Sequence, residues 1–136
     1  MLESGSQLDF GDYTSSFITT QAWKALNDQK NDEAVAYTDK VIELYEKEAK
    51  KMQGSLTEYP WETKDKIFSF WALNDVGTAL YIKGEALRKA GKNKEAREAY
   101  KKLVDEFFYA QCWDPKGWFW KPSDPAQQAL DDLGES

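Results

Sequence analysis

An all-α fold follows from three features of this 136-residue sequence. Apolar residues recur at steps of three and four through every long segment, the pattern of helices that each bury one face. No segment alternates apolar and polar residues as a half-buried strand would. Gly54, Pro60, Gly91 and Gly134 fall where the helical period lapses, so the punctuation agrees with the pattern. At 15.7 kDa and 41% hydrophobic residues, the chain has the size and composition of one globular domain.

The first helix is expected over Tyr13 to Asp28, on the repeat Phe17, Ile18, Ala22, Ala25 and Leu26, and it ends at the polar cluster Asn27-Asp28-Gln29-Lys30-Asn31. Asp32 then offers an N-cap for a long second helix that carries Ala34, Tyr37, Thr38, Val41, Leu44, Tyr45, Ala49 and Met52 and stops at Gly54. Its other face reads as solvated, with Glu43 and Lys47, and Glu46 and Lys50, in the favourable i,i+4 order. Pro60 fixes the connection, and a third helix is expected to run from near Trp61 to Ala90. On it Leu73, Val76, Gly77, Leu80, Gly84 and Leu87 form one stripe. Each of its two glycines costs about 1 kcal/mol of helix propensity, so they predict a notch into which a partner helix fits closely. After Gly91-Lys92-Asn93, a fourth helix carries Ala96, Ala99, Tyr100, Leu103, Val104 and Phe107. From Cys112 to Pro122 neither helical nor strand period is present, and prolines and Gly117 force turns, so this segment is expected to wrap something. A fifth, short helix follows, with Asp124 as N-cap, Pro125 at its first position, and Ala126, Ala129, Leu130 and Leu133 facing inward. The organisation expected is a flexible segment over residues 1–12 and a single domain over 13–136. Within that domain, one hairpin covers about 13–53, a second about 61–110, and an aromatic loop with a capping helix 111–134.

Composition removes several classes of function. Histidine is absent and Cys112 is the single cysteine, which excludes histidine relays, Cys/His zinc sites and an intramolecular disulfide. The acidic pairs Asp105-Glu106 and Asp131-Asp132 are sequence neighbours that point about 100° apart on a helix, so they read as solvated surface rather than as the facing carboxylates of a glycosidase. Cys112 has no histidine to activate it, and no glycine-rich elbow or phosphate loop is present, so no catalytic, cofactor or metal site is expected. A net charge of −6 gives nucleic acid binding no electrostatic footing. No stretch approaches the roughly 20 apolar residues of a membrane span. The start is acidic and polar where a secretory signal would be basic then apolar, so the chain reads as intracellular. It would be exported only if a leader had been trimmed ahead of Ser4-Gly5-Ser6.

Two local concentrations remain. Aromatic residues make up 15% of the chain, and 12 of the 20 lie in two short windows, Tyr59 to Trp71 and Phe107 to Trp120. The windows are expected to meet, either as a satellite core or as an aromatic platform of Trp113, Trp118 and Trp120 that takes a peptide or stacks a sugar. Lys83 to Lys102 holds 8 basic residues against 3 acidic ones, which reads as solubilising decoration or as a dock for an acidic peptide.

The run Gly84-Glu85-Ala86-Leu87-Arg88-Lys89-Ala90-Gly91-Lys92-Asn93-Lys94-Glu95-Ala96-Arg97-Glu98-Ala99-Tyr100 resembles a tetratricopeptide repeat. Gly84, Leu87, Gly91, Ala96, Tyr100 and Leu103 stand at the places of its small residue, first-helix packing residue, turn and second-helix core. A weaker copy runs through Ile18, Ala22, Ala25, Asp32-Glu33-Ala34, Thr38 and Val41. Ala34 and Ala96 are then equivalent, 62 residues apart where a regular repeat takes roughly 34. The resemblance covers about residues 15 to 110 and implies two elongated repeats, with the second and third helices each longer by several turns. Lys83 departs from the pattern, which prefers an apolar residue there, and no proline closes the fourth helix.

What the resemblance implies is a non-catalytic scaffold that binds a protein or peptide partner in a groove lined by the first and third helices. Trp23, Trp71 and Tyr81 are then candidate anchors, and Lys24, Asn27, Asn74, Lys83 and Arg88 candidate polar contacts. Some bacterial helical domains of similar look carry glucanase names, which widens the alternatives to an accessory module of polysaccharide processing with glycan contacts at Trp113, Trp118 and Trp120.

Overall fold

The computed structural model describes residues 8–134, with helices α1 (Ser15–Asn27), α2 (Asn31–Gly54), α3 (Lys64–Phe68), α4 (Trp71–Lys89), α5 (Asn93–Glu106) and α6 (Ser123–Leu133) and strands β1 (Cys112–Asp114) and β2 (Trp118–Trp120). Helix accounts for 68% of it, as the all-α expectation requires. α4 is central: 12 of its 19 residues are buried, so it is apolar on more than one side and packs against α1, α2 and α5. α2, at 24 residues, is the long helix that the repeat spacing demands, and it lies along α4. α6 covers α5 with Ala126 and Ala129 buried. One cluster of buried side chains runs through the helices, from Ile18 on α1 through Val41, Leu73, Leu80, Tyr100 and Leu103 to Ala129 on α6.

The glycine notch is present. A methyl built at Gly84 would stand 2.5 Å from the fully buried ring of Tyr100, and one at Gly77 would overlap the Cβ of Ala110. Glycine is therefore what lets α5 and the start of the tail lie against α4. Opposite Gly84, the Tyr100 hydroxyl donates to the Glu85 carboxylate. Burial and that neighbouring negative charge push the phenol far above its ordinary pKa.

Four local expectations need correction. The third helix is not continuous from Trp61. The Thr63 side chain caps the amide of Lys66 at 3.0 Å, so a five-residue α3 begins at Lys64. That helix closes with Phe70 N bonded to Ile67 O, and the Asn74 side-chain amide takes the same carbonyl at 3.0 Å. The acceptor that a continuous helix would offer to Trp71 is thus used twice elsewhere, and α4 starts afresh. Second, the aromatic tail is not wholly aperiodic: Cys112 pairs with Trp120, Trp113 with Phe119 and Asp114 with Trp118 in a small antiparallel hairpin. Three-residue strands are too short for a period of two to be read. Their turn is held by Asp114, which accepts from Lys116 N and Gly117 N, with Gly117 at φ +113°. Third, α6 starts at Ser123 rather than after Asp124, because the Pro122 carbonyl already accepts from Ala126 N. A smaller shift of the same kind moves the start of α2 to Asn31, where the Lys30 carbonyl accepts from Ala34 N.

Of the N-terminal segment expected to be flexible, residues 1–7 lie outside the described residues. Residues 8–12 follow the core surface: Leu8 and Phe10 pack on it, and Asp9 N donates to the Tyr37 hydroxyl at 2.9 Å. Thr14 then caps α1, its own amide and hydroxyl both given to Asp12, and those bonds lower the Asp12 pKa.

Candidate functional site

On α4, Trp71, Asn74, Asp75 and Thr78 recur at helical spacing and form a stripe facing α1. α1 answers with Ser16, Thr19, Thr20 and Trp23. Between the two lies a groove of about 530 Å³, closed at its third side by Phe68 of α3 and by the tail residues Gln111, Cys112, Trp113 and Pro115. It exceeds the hollows of about 280 and 370 Å³ that α2 and α4 line on the other side of α4.

The tail is fixed there by hydrogen bonds. Gln111 N donates to Asn74 Oδ1 at 3.0 Å, and Gln111 Nε2 donates to Pro60 O at 3.0 Å. With its amide on Ile67 O, buried Asn74 joins α3, α4 and the tail, and so it serves the walls of the groove rather than a ligand. Behind the tail, Tyr59 binds Phe108 O and Ser123 Oγ, while Tyr109 donates to Thr57 O and takes Gln53 Oε1 on its amide. The two aromatic windows do meet. Phe68 lies 5.9 Å from Trp113 and 5.2 Å from Phe119, and Tyr59 lies 5.6 Å from Phe108, ring centre to ring centre.

The expected site residues divide. Trp23, Trp71 and Asn74 line the groove, and Tyr81 packs against Trp23 and Trp120 where the groove ends. Trp71 is 45% exposed, its inner edge against Tyr45. Lys24 and Asn27 are exposed on α1 outside the lining. Lys83 lies on another side of α4, paired with Asp39 of α2 at 2.8 Å, and Arg88 lies past the end of the groove beside Glu85. The hairpin register puts Trp118 and Trp120 on one face and Trp113 on the other, against Phe119. Trp118 is 51% exposed, Trp120 packs on Trp23, and Lys64 sits 4.4 Å over the Trp113 ring, so the three indoles do not share one surface.

Reasoning from sequence missed Asp75 and the hydroxyl row. A signal was present: Asp75 is the one charge between Trp71 and Ile82. Its Oδ2 accepts from the Ser15 hydroxyl, and burial raises its pKa against the opposing effect of that bond. A carboxyl with a raised folded pKa contributes stability below its unfolded pKa, and that stability is lost as pH rises through the folded value. Asp75→Asn, which cannot ionise, is therefore expected to raise the melting temperature at neutral pH and leave it nearly unchanged well below the carboxylate range. Thermal melts at the two pH values check this. Cys112 is the converse case. Burial pushes its thiol up to about 11, against the effect of a Thr78 hydrogen bond, so at neutral pH it is an inert wall atom.

Residues 78–107, which span the second half of α4, the Gly91 turn and α5, match the family model of the tetratricopeptide repeat. This match and the helical architecture support a divergent TPR-like repeat domain. No curated protein and no solved structure matches it. In this TPR-like domain α4 is the first helix of the matched repeat, and α1 is its counterpart in the weaker copy, so the groove lies on the face of the two first helices. Tetratricopeptide repeats are protein-interaction modules and typically non-catalytic.

Proposed function

We propose that this TPR-like domain is a non-catalytic scaffold that binds an extended peptide segment of a protein partner in the α1/α4 groove, with residues 13–136 acting as one unit. The observation that carries this reading is the groove itself. It is open, walled by Trp23, Phe68, Trp71 and Trp113, and set with hydroxyls and a carboxyl that give orientation. Aromatic anchors beside a few polar groups are the composition of binding hot spots. Cys112 held as a thiol and the absence of histidine support a binding role over a chemical one.

Panning a phage-displayed random peptide library against the full chain tests the reading. Sequences should be enriched, and Trp71→Ala, which removes a half-exposed ring and is verified by its melt to be folded, should weaken them by at least tenfold. No enrichment, or enrichment that Trp71→Ala leaves untouched, would overturn it.

A further inference from the structure

We infer that the groove is built for a lysine side chain of the bound peptide, its ammonium on Asp75 and its aliphatic stem along the indoles of Trp23 and Trp71, an inference that rests on the peptide-binding reading above. Asp75 is the charged residue of the lining, and no lysine or arginine pairs with it among the described residues. Sequestering a carboxylate without a counter-charge is costly, and here the fold supplies a single hydroxyl, from Ser15. Oδ1 meets no donor among the described residues, so the carboxylate is half satisfied and its open oxygen calls for a donor from outside.

A second, independent observation points the same way. Thr19 is 6% exposed, it lines the same groove, and its Oγ1 has no hydrogen-bond partner. A helical threonine ordinarily turns its hydroxyl back to the carbonyl four residues earlier, as Thr20 does to Ser16 and Thr78 to Asn74. An ammonium brings three donors, enough for Asp75 Oδ1 and for a further acceptor of the lining such as Thr19 Oγ1.

The aromatic walls suit the same guest. Indole faces attract cations and accept the methylene stem. At the rim this chemistry is already in use, with the Lys64 ammonium 4.4 Å above Trp113. Charge complementarity argues against an acidic segment: no basic side chain lines the groove, the full chain carries −6, and the basic run of 83–102 lies elsewhere, with Lys83 and Lys102 paired to Asp39 and Glu46. Lysine is favoured over arginine because Ser15 occupies Oδ2. A single open oxygen suits a point charge, whereas a guanidinium fork seeks both.

The test uses the full chain and immobilised undecapeptide libraries with a fixed central residue, either lysine, arginine, acetyl-lysine or glutamate, flanked by five random positions on each side. The lysine library should be retained at least tenfold more than the acetyl-lysine and glutamate libraries and severalfold more than the arginine library. Asp75→Asn, verified by its melt to be folded, should lower lysine retention to the acetyl-lysine level. Thr19→Val, which deletes the orphan hydroxyl without changing shape, should melt higher than wild type and yet retain the lysine library severalfold less. Retention indifferent to charge, a preference for glutamate, or a lysine preference that survives Asp75→Asn would each overturn the inference while leaving peptide binding intact. Retention of none of the libraries would remove both.

Discussion

Ending the chain after Gln111 is expected to leave a fragment that does not fold. The removed segment holds both strands and α6. Trp113 and Phe119 form the outer half of a cluster with Phe68, Trp120 packs on Trp23 and Tyr81, and Ala126 and Ala129 are buried against the rest of the core. Buried Ser123 also leaves, and with it one of the two hydrogen bonds of Tyr59. Full burial of one large apolar side chain is worth roughly 1.5–3 kcal/mol, and a domain of this size has about 5–15 kcal/mol in all. Even with the indoles only partly buried, losing several of them along with a covering helix exceeds that margin. The underlying α5 surface would then become an exposed apolar patch, which a soluble monomer rarely tolerates. Far-UV circular dichroism melts and gel filtration check this: loss of the cooperative transition, with aggregation, is the expected result. A monomeric fragment melting at the parent temperature would make the tail an ornament.

The second large effect is expected at the Gly84–Tyr100 contact. Tyr100→Ala empties a fully buried site and should cost about 3–5 kcal/mol, the range of large aromatic truncations. Gly84→Ala gains about 1 kcal/mol of helix propensity, but its methyl would stand 2.5 Å from a ring with no room to retreat. Overpacking of this kind costs about 1–3 kcal/mol or more, so the single variant should be destabilised. In the double variant the new methyl has space, and the helix-propensity gain is released. Urea denaturation of all four proteins should therefore give a double-variant loss clearly smaller than the sum of the single losses, with a coupling of about 1–3 kcal/mol. Additivity would mean that the two positions do not touch.

These two sites also mark what could be read from the amino-acid order. Gly77 and Gly84 were legible because a residue that costs helix propensity on an apolar stripe has few uses other than close approach. The helices themselves were legible from period alone. The α3/α4 break was not, since it depends on Asn74 reaching back to Ile67 O, and a side-chain amide in mid-helix gives no local sign of where it points. The same residue shows why the site was only partly foreseen. Its polarity in an apolar helix was visible, but its partners, Ile67 and Gln111, come from segments whose meeting is a tertiary event. Trp23 and Trp71 were found as outward aromatics of the first helices. Thr19, Thr20 and Ser16 look like ordinary helix-surface residues until α4 is laid against them. Lys83 and Arg88 share a helix with Trp71, but each engages an acidic neighbour that sequence spacing cannot choose among many.

The anchoring of Gln111 on Asn74 and Pro60 gives the groove a thermodynamic character of its own. One wall of the cleft consists of chain that follows this anchor, so the cleft exists only while the tail is docked. Docking of the tail and occupancy of the cleft are then linked equilibria: a ligand that touches Trp113 or Cys112 holds the tail down by mass action, in proportion to its concentration over its dissociation constant. By the same reciprocity, on the peptide-binding reading, whatever loosens the segment after Gln111 weakens the hold of the cleft on its ligand.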